Sequence, residues 1–265
     1  MNEKEKNADR FLGFADVYEK ARPSVPEYPI KLICSYLGKT PDVVVDLGCG
    51  TGLSTIVWKQ TAKRVIGIEP SNDMIAVARE KSCDNVEFIQ AFSDNTALAD
   101  ISSDVVTCSQ SFHWMEPAAT LKEVNKILKP DGVFAVIDCD WPPVALWKAE
   151  KAYAELYGKI HEIEQNTPEI SSTFTRYSKD NHLNNIRSSG YFRYSREILF
   201  SNTEKCTAER FINIIFSQGS LQAILKRSPE LIKDDVSAFE NIIRSLYGEN
   251  EFDIEFCYRM RIGIK

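Results

Sequence analysis

The chain has 265 residues, of which 43% are apolar and 11% aromatic, with 38 acidic against 32 basic side chains and a formal charge of −6. With 14 Phe, 10 Tyr and 4 Trp, it offers far more buriable surface than a disordered chain, and at this length it buries enough surface to stand without disulfide or metal staples. A net negative charge disfavours a general nucleic-acid binder.

In chain order, the first ten residues, MNEKEKNADR, are charged, so no secretory signal is expected. Val43-Val44-Val45 is a β-branched apolar run ending at Asp46, which is how a strand buried on both faces reads. Gly48, Gly50 and Gly52 follow, then Leu53, Ile56 and Val57 at helical spacing. Arg64 to Glu69 is a second strand closed by Pro70. Ser71 is placed to cap a helix carrying Met74, Ile75 and Ala78. Val86 to Ile89 and Asp104 to Cys108 are the third and fourth strands, and a helix runs from about Pro117 to Leu128. Lys129-Pro130-Asp131-Gly132 reads as a turn before a fifth strand, Val133 to Ile137. Five strands alternating with helices imply an α/β fold, a parallel sheet covered on both faces.

Beyond residue 138 the pattern changes. A helix is expected from Val144 to about Gln165, a strand from Tyr191 to Phe200 and a helix from Thr207 to Leu225. Ser228-Pro229 marks the start of another helix, stopped by Gly248. The last stretch alternates strictly, with Phe252, Ile254, Phe256, Tyr258, Met260, Ile262 and Ile264 on one side and Asp253, Glu255, Arg259, Arg261 and Lys265 on the other. This is a long strand whose second face must meet something polar.

Seven cysteines without a C-x-x-C, and three histidines without a close pair, argue against a disulfide framework and leave no expected metal ligand set. No run approaches the ~18 apolar residues of a membrane span, so a cytoplasmic protein is expected. The chemistry concentrates at Asp46-Leu47-Gly48-Cys49-Gly50-Thr51-Gly52, a glycine loop between a strand and a helix. Glu69 lies about 20 residues on, where an acid binds a ribose, so a nicotinamide dinucleotide is the first ligand to weigh. Against it, the third glycine of that fingerprint is Leu53, and Asp46 adjoins the loop. At ~4 Å and an effective dielectric near 20 a carboxylate would repel a pyrophosphate charge by about 4 kcal/mol. A cationic ligand without phosphate, such as S-adenosylmethionine (SAM), reverses that sign.

These segments, Val44 to Gly52 and Val65 to Ser71 with Met74, resemble the class I SAM-dependent methyltransferases of the type 11 group. The resemblance spans roughly residues 10 to 140. It includes Phe14 to Tyr18, Ala21-Arg22-Pro23 and Tyr28-Pro29 of an N-terminal cover, and Leu128 to Gly132 before strand five. Ser109-Gln110-Ser111-Phe112-His113-Trp114 is similar to the trans-aconitate methyltransferase-like proteins. It implies a Rossmann-like seven-stranded sheet, strands one to five parallel and strand seven antiparallel, flanked by helices, with helical insertions in the C-terminal half. It also implies a division into a cover over 1–40, a SAM-binding core over 41–140, a substrate cap with strand six over 141–250, and a final strand over 251–265. SAM would be held by Tyr18 and Arg22 of the cover, by Asp46, Gly48, Cys49 and Gly50 at its methionine end and by Glu69 at the ribose. Pro70 and Met74 would pack on adenine, Ser93 and Asp94 would bond its edge, and Ser109 and Gln110 would line the methyl-transfer side.

The expected activity is methyl transfer from SAM to a small-molecule acceptor, on an oxygen of a carboxylate or hydroxyl. Ser111, Phe112, His113, Trp114 and Trp141 are candidates to line the acceptor pocket, with Trp147 a further aromatic wall. His113 is the candidate base, since a phenol or hydroxyl must lose a proton and a carboxylate need not. His161 and His182 read as surface residues. C- or N-methylation of a ring or amine, and a SAM-binding regulator without turnover, stay open. Neither a nucleic-acid nor a membrane partner is expected, and the chain is read as a monomer or homodimer.

Overall fold

The structure, a computed structural model, describes residues 5–7, 21–23, 25–171 and 174–265; Tyr18 and most of the expected cover lie outside them. The described chain divides into two compact units. One comprises 24–139, 176–200 and 258–265; the other comprises 1–23, 140–175 and 201–257.

The first unit is built on the sheet. A helix α1 (Glu27–Leu37) precedes β1 (Val43–Leu47), a short α2 (Leu53–Ile56) and β2 (Arg64–Ile68). Then come α3 (Asn72–Arg79), β3 (Val86–Ile89), β4 (Ser103–Ser109), a 3-10 turn (Phe112–Trp114), α4 (Pro117–Ile127) and β5 (Leu128–Cys139). A helix α7 (His182–Ser188) and the beginning of β6 (Tyr194–Cys206) also belong here, as does the end of β7 (Phe252–Ile264). The sheet order is β3-β2-β1-β4-β5-β7-β6, with β1 to β5 paired in parallel and β7 antiparallel to β5. The β-branched runs of β1, β4 and β5 are buried on both faces, as their sequences require. Register sets the chemistry: Asp46 stands beside Gly67 of β2 and Thr107 of β4.

Lys129-Pro130-Asp131-Gly132 proves to be a bulge inside β5 rather than a turn before it. Ser103 pairs with Leu128 and Val105 with Val133, and Asp131 takes the left-handed φ of 64° that lets the extra residues loop out. Its carboxylate is paired with Arg193.

The second unit holds α5 (Trp147–Asn166), α6 (Pro168–Ser171), α8 (Ala208–Phe216), α9 (Gly219–Arg227) and α10 (Lys233–Tyr247). Its core is aromatic, with Tyr153 packing edge-on to Phe211 and Phe239. Four expectations change here and at β6. The helix expected from Val144 starts at Trp147, because Val144 exchanges both backbone bonds with Glu255. The helix expected over 207–225 is two, because the Ser217 hydroxyl bonds back to Ile214 O at 2.6 Å and ends the first. Pro229 opens only a 3-10 turn, and α10 starts four residues later. Strand six runs to Cys206 rather than Phe200. No helix among the described residues is long and apolar enough to cross a membrane.

Candidate active site

The glycine loop leaves β1 and is tied across to β2, where Ile68 O accepts from Gly48 N at 2.7 Å and from Cys49 N at 3.1 Å. Gly48 and Gly50 sit at φ of 67° and 56°, a region that side chains rarely adopt. They differ in what they face. A Cβ on Gly48 would strike Ser111 and Met115, each at 2.7 Å, whereas one on Gly50 would meet open space. The loop is therefore pressed onto the Ser111–Met115 turn on one side and clear on the other.

Two buried acids flank it. Asp46 is wholly enclosed. Its Oδ2 accepts from Ser54 Oγ at 2.7 Å and Thr55 Oγ1 at 2.8 Å, and its Oδ1 from Thr107 Oγ1 at 2.9 Å. Burial raises its pKa and the three hydroxyls oppose the rise. The carboxylate thus anchors the root of the loop. Glu69, 6% exposed, accepts from Gly50 N at 3.0 Å and from Ser71 N at 2.9 Å, one with each oxygen. Burial pushes it from the ordinary 4.5 up to about 7, with the Asp46 charge adding to the rise and the two amides resisting it.

Ser71 was expected to cap α3, but its hydroxyl makes no cap bond; Glu69 takes its N–H, and its buried Oγ has no hydrogen-bond partner. The Thr51 hydroxyl is buried in the same state. Cys49 is buried, and its thiol is pushed well above its ordinary value by desolvation, which makes it a packing group. Met74 is buried on α3, and Pro70 O accepts from Gln90. The Ser93 hydroxyl lies 3.0 Å from that of Thr120, and Asp94 beside it is half-buried.

At the end of β4, Ser109 is half-buried. Gln110 takes a φ of 54°, accepts from Lys179 Nζ at 2.8 Å, and keeps a buried Nε2 without a partner. Ser111 Oγ donates to Leu47 O at 2.7 Å and so fixes the turn to the glycine loop. Phe112 is core, packed on Phe134 and His182. His113 is buried with its ring against Trp114, which in turn lies under Arg176.

Folding brings residues to His113 that sequence spacing does not join. Asp138, wholly buried near the end of β5, lies with Oδ1 3.9 Å from His113 Nδ1 and 3.2 Å from Lys179 Nζ. Its Oδ2 is 2.9 Å from Arg261 Nη1 and 3.7 Å from His182 Nε2. Arg261, on the supposed polar face of β7, is only 3% exposed, and its Nε also bonds Glu197 at 2.6 Å. His182 was read as a surface residue, yet it is wholly buried, and desolvation lowers it to about 4. His113, Asp138 and His182 lie close enough together to hold a metal ion, a set that the separate positions 113, 138 and 182 concealed.

In the second unit, Arg22 caps the end of α8, bonding Ser217 Oγ at 2.8 Å, Ser217 O at 3.1 Å and Gln218 Oε1 at 3.2 Å. Its guanidinium also lies over Trp141, which packs edge-on to Phe256. Trp147 is 64% exposed. His161 is bonded to Glu164 at 3.2 Å.

Residues 45–136 match the family described as Methyltransferase domain (Methyltransf_11). A protein described as a probable S-adenosylmethionine-dependent methyltransferase, CRG1 of Saccharomyces cerevisiae, is 33% identical over 124 residues, covering 44% of this chain and 43% of its own. The ubiquinone/menaquinone biosynthesis C-methyltransferase UbiE of Campylobacter jejuni is 29% identical over 154 residues, covering 52% of this chain and 65% of its own. Among solved structures, one from Anaeromyxobacter dehalogenans, provisionally named a type II methyltransferase, superposes with a TM-score of 0.71 at 18% identity, covering 92% of this chain and 97% of that one. The chain spans less than half the length of CRG1, and the likeness to the solved structure extends over the fold. The loop and its flanking acids lie within the matched stretch: residues 45–136 form a methyltransferase domain of the Methyltransf_11 family, similar to SAM-dependent methyltransferases.

Proposed function

We propose that the whole chain is an enzyme that transfers the methyl group of SAM to a small-molecule acceptor, on an oxygen. The observation that carries this is a glycine loop with open space above Gly50, flanked by two buried carboxylates. The residues fit the cofactor. A negative pair suits an ammonium and a sulfonium and repels a phosphate. Each Glu69 oxygen uses one lone pair on a backbone amide and keeps another for a ribose hydroxyl. The buried Ser71 and Thr51 hydroxyls add donors that the protein leaves unused.

When bound, SAM supplies a methyl group on a positively charged sulfur. This chain's residues hold the partners in line and keep water out. Asp46 fixes the loop through its three hydroxyls, and Glu69 holds the ribose side. The turn from Ser111 to Met115, pinned to Leu47 and packed on Gly48, carries His113 next to that loop. A histidine there favours an acceptor with a hydroxyl proton to lose. The likeness to UbiE favours a second reading, methylation of a ring carbon activated by such a hydroxyl.

Titration calorimetry with SAM and its demethylated product tests the cofactor. Micromolar binding of both is expected, and binding of NADH without SAM would overturn it. A screen of acids, phenols and amines with methyl-labelled SAM then identifies the acceptor. A methyl ether or ester supports the first reading, and a C-methylated ring the second.

A further inference from the structure

We propose that Gln110 selects the acceptor molecule: with its Oε1 held by Lys179, its Nε2–H donates to a carbonyl-type oxygen that the acceptor carries besides its hydroxyl, as in a hydroxy acid or a hydroxy ketone. This rests on the methyl-transfer reading above and names the acceptor class for it.

The place follows from the topology. In the order β3-β2-β1-β4-β5, the strands run outward from β1 to β3 on one side and from β4 to β5 on the other. β1 and β4 therefore meet at the switch point, and ligands bind in the crevice outside the carboxyl ends of parallel strands there. The glycine loop leaves one side of that point after Leu47, and Gln110 leaves the other just past Ser109. Ser111 Oγ on Leu47 O ties the two sides together. The loop and Glu69 serve the cofactor, so the β4 side is left for the acceptor.

The backbone of Gln110 is held against its preference. Its φ is 54°, where glutamine rarely lies, and its N donates to Ile137 O at 2.9 Å. Positions held in this way gather at ligand sites.

The side chain is oriented as well. Lys179 Nζ lies 2.8 Å from Oε1, and an ammonium only donates, so the atom facing it is the amide oxygen. Lys179 itself stands 3.2 Å from Asp138 Oδ1. With Oε1 fixed, Nε2 is directed away from Lys179, and in the ligand-free protein it is enclosed without an acceptor. Native proteins leave few buried donors unpaired. A cation on the amide oxygen also polarises the group and strengthens its N–H bonds as donors. A carbonyl or carboxylate oxygen satisfies such a donor. A molecule that presents C–H or N–H there leaves it unpaired and is rejected.

The test reads the Gln110 side-chain NH2 resonances in the full-length 15N-labelled protein, assigned through their contacts to Lys179. The protein is first saturated with the demethylated product of SAM. The isomeric hydroxybenzoates, the matching hydroxyacetophenones and phenol are then added in separate arms. A downfield displacement is expected with a hydroxybenzoate or a hydroxyacetophenone and not with phenol, and the two arms tell carboxylate from ketone. Displacement by the product alone gives the donor to the cofactor and overturns the proposal. No displacement by any carbonyl-bearing phenol overturns it as well.

Gln110→Glu keeps the Lys179 partner and turns the donor into an acceptor. The ratio of affinities between the preferred carbonyl-bearing phenol and phenol itself should then fall about 10- to 100-fold in the product-bound protein. A purely structural role would not move that ratio, and an unchanged ratio overturns the proposal. If Gln110→Glu does not fold, the wild-type displacement decides. A protein that binds neither SAM nor its product overturns the methyl-transfer reading. Displacement by the product alone, with methyl transfer intact, overturns this assignment only.

Discussion

Glu69 is a buried carboxylate, and it costs the free protein something to keep it there. With burial raising its pKa to about 7, the folded ligand-free protein still holds a proton that the unfolded chain has released above about 4.5. Its effect on stability therefore declines as pH rises from 4.5 to 7, the reverse of a salt-bridged acid. A ribose-binding role runs the other way, since the ionised form is the better acceptor of two hydroxyls. SAM affinity should then weaken by up to about tenfold per unit as pH falls below 7. Calorimetry between pH 5.5 and 8 checks this, and a flat affinity would remove Glu69 from the ribose. Asp46 contrasts with it. Three hydroxyls offset its burial, and each can turn to donate or accept, so Asp46 serves as a fixed anchor more than a titrating group.

Among elements, the glycine loop separates folding from binding at neighbouring positions. Gly48→Ala puts a methyl into Ser111 and Met115 and strains φ, so the melting temperature should drop by several degrees and SAM affinity should fall with it. Gly50→Ala meets no protein atom and should cost only the backbone strain, about 1 kcal/mol, while its methyl fills the cofactor's space and abolishes SAM binding. Melts and calorimetry on the two variants test that split, and intact SAM binding in Gly50→Ala would refute it. This loop was legible from the residues because a β-branched run, spaced glycines and an acid at the next strand end are local signals. The bulge at Pro130 was half legible: the turn chemistry was read, but a strand continuing on both sides of it needs Ser103 and Val105 as partners. The break at Ser217 was hidden, since Arg22 caps it from 195 residues away. The Asp138 cluster was hidden for the same reason. Two signals pointed to it: an acid closing the apolar run Val133 to Ile137, and Arg261 among the otherwise apolar residues at the end of β7.

On the scale of the molecule, the chain passes between its two compact units five times, at 23/24, 139/140, 175/176, 200/201 and 257/258. The sheet unit is therefore assembled from three separate stretches. Its matched region ends before β7 supplies Arg261, and breaking a buried pair by removing one partner costs about 3–5 kcal/mol against a typical total of 5–15. A fragment of residues 25–139 should show no cooperative urea transition by circular dichroism. A sharp transition would show that the glycine-loop core is self-sufficient.

The Asp138–Arg261 contact also has a history in time. Synthesis reaches residue 138 well before 261, and 261 − 138 leaves 123 residues between them. At ribosomal speeds of about 5–20 residues per second, that is a wait of roughly 6–25 seconds with the β7-side edge of β5 bare. For that interval Asp138 lacks its Arg261 partner and leaves a charged side chain on a long apolar strand, the kind of residue that discourages pairing with another nascent chain. The carboxylate that ends up inside the sheet begins as its guard.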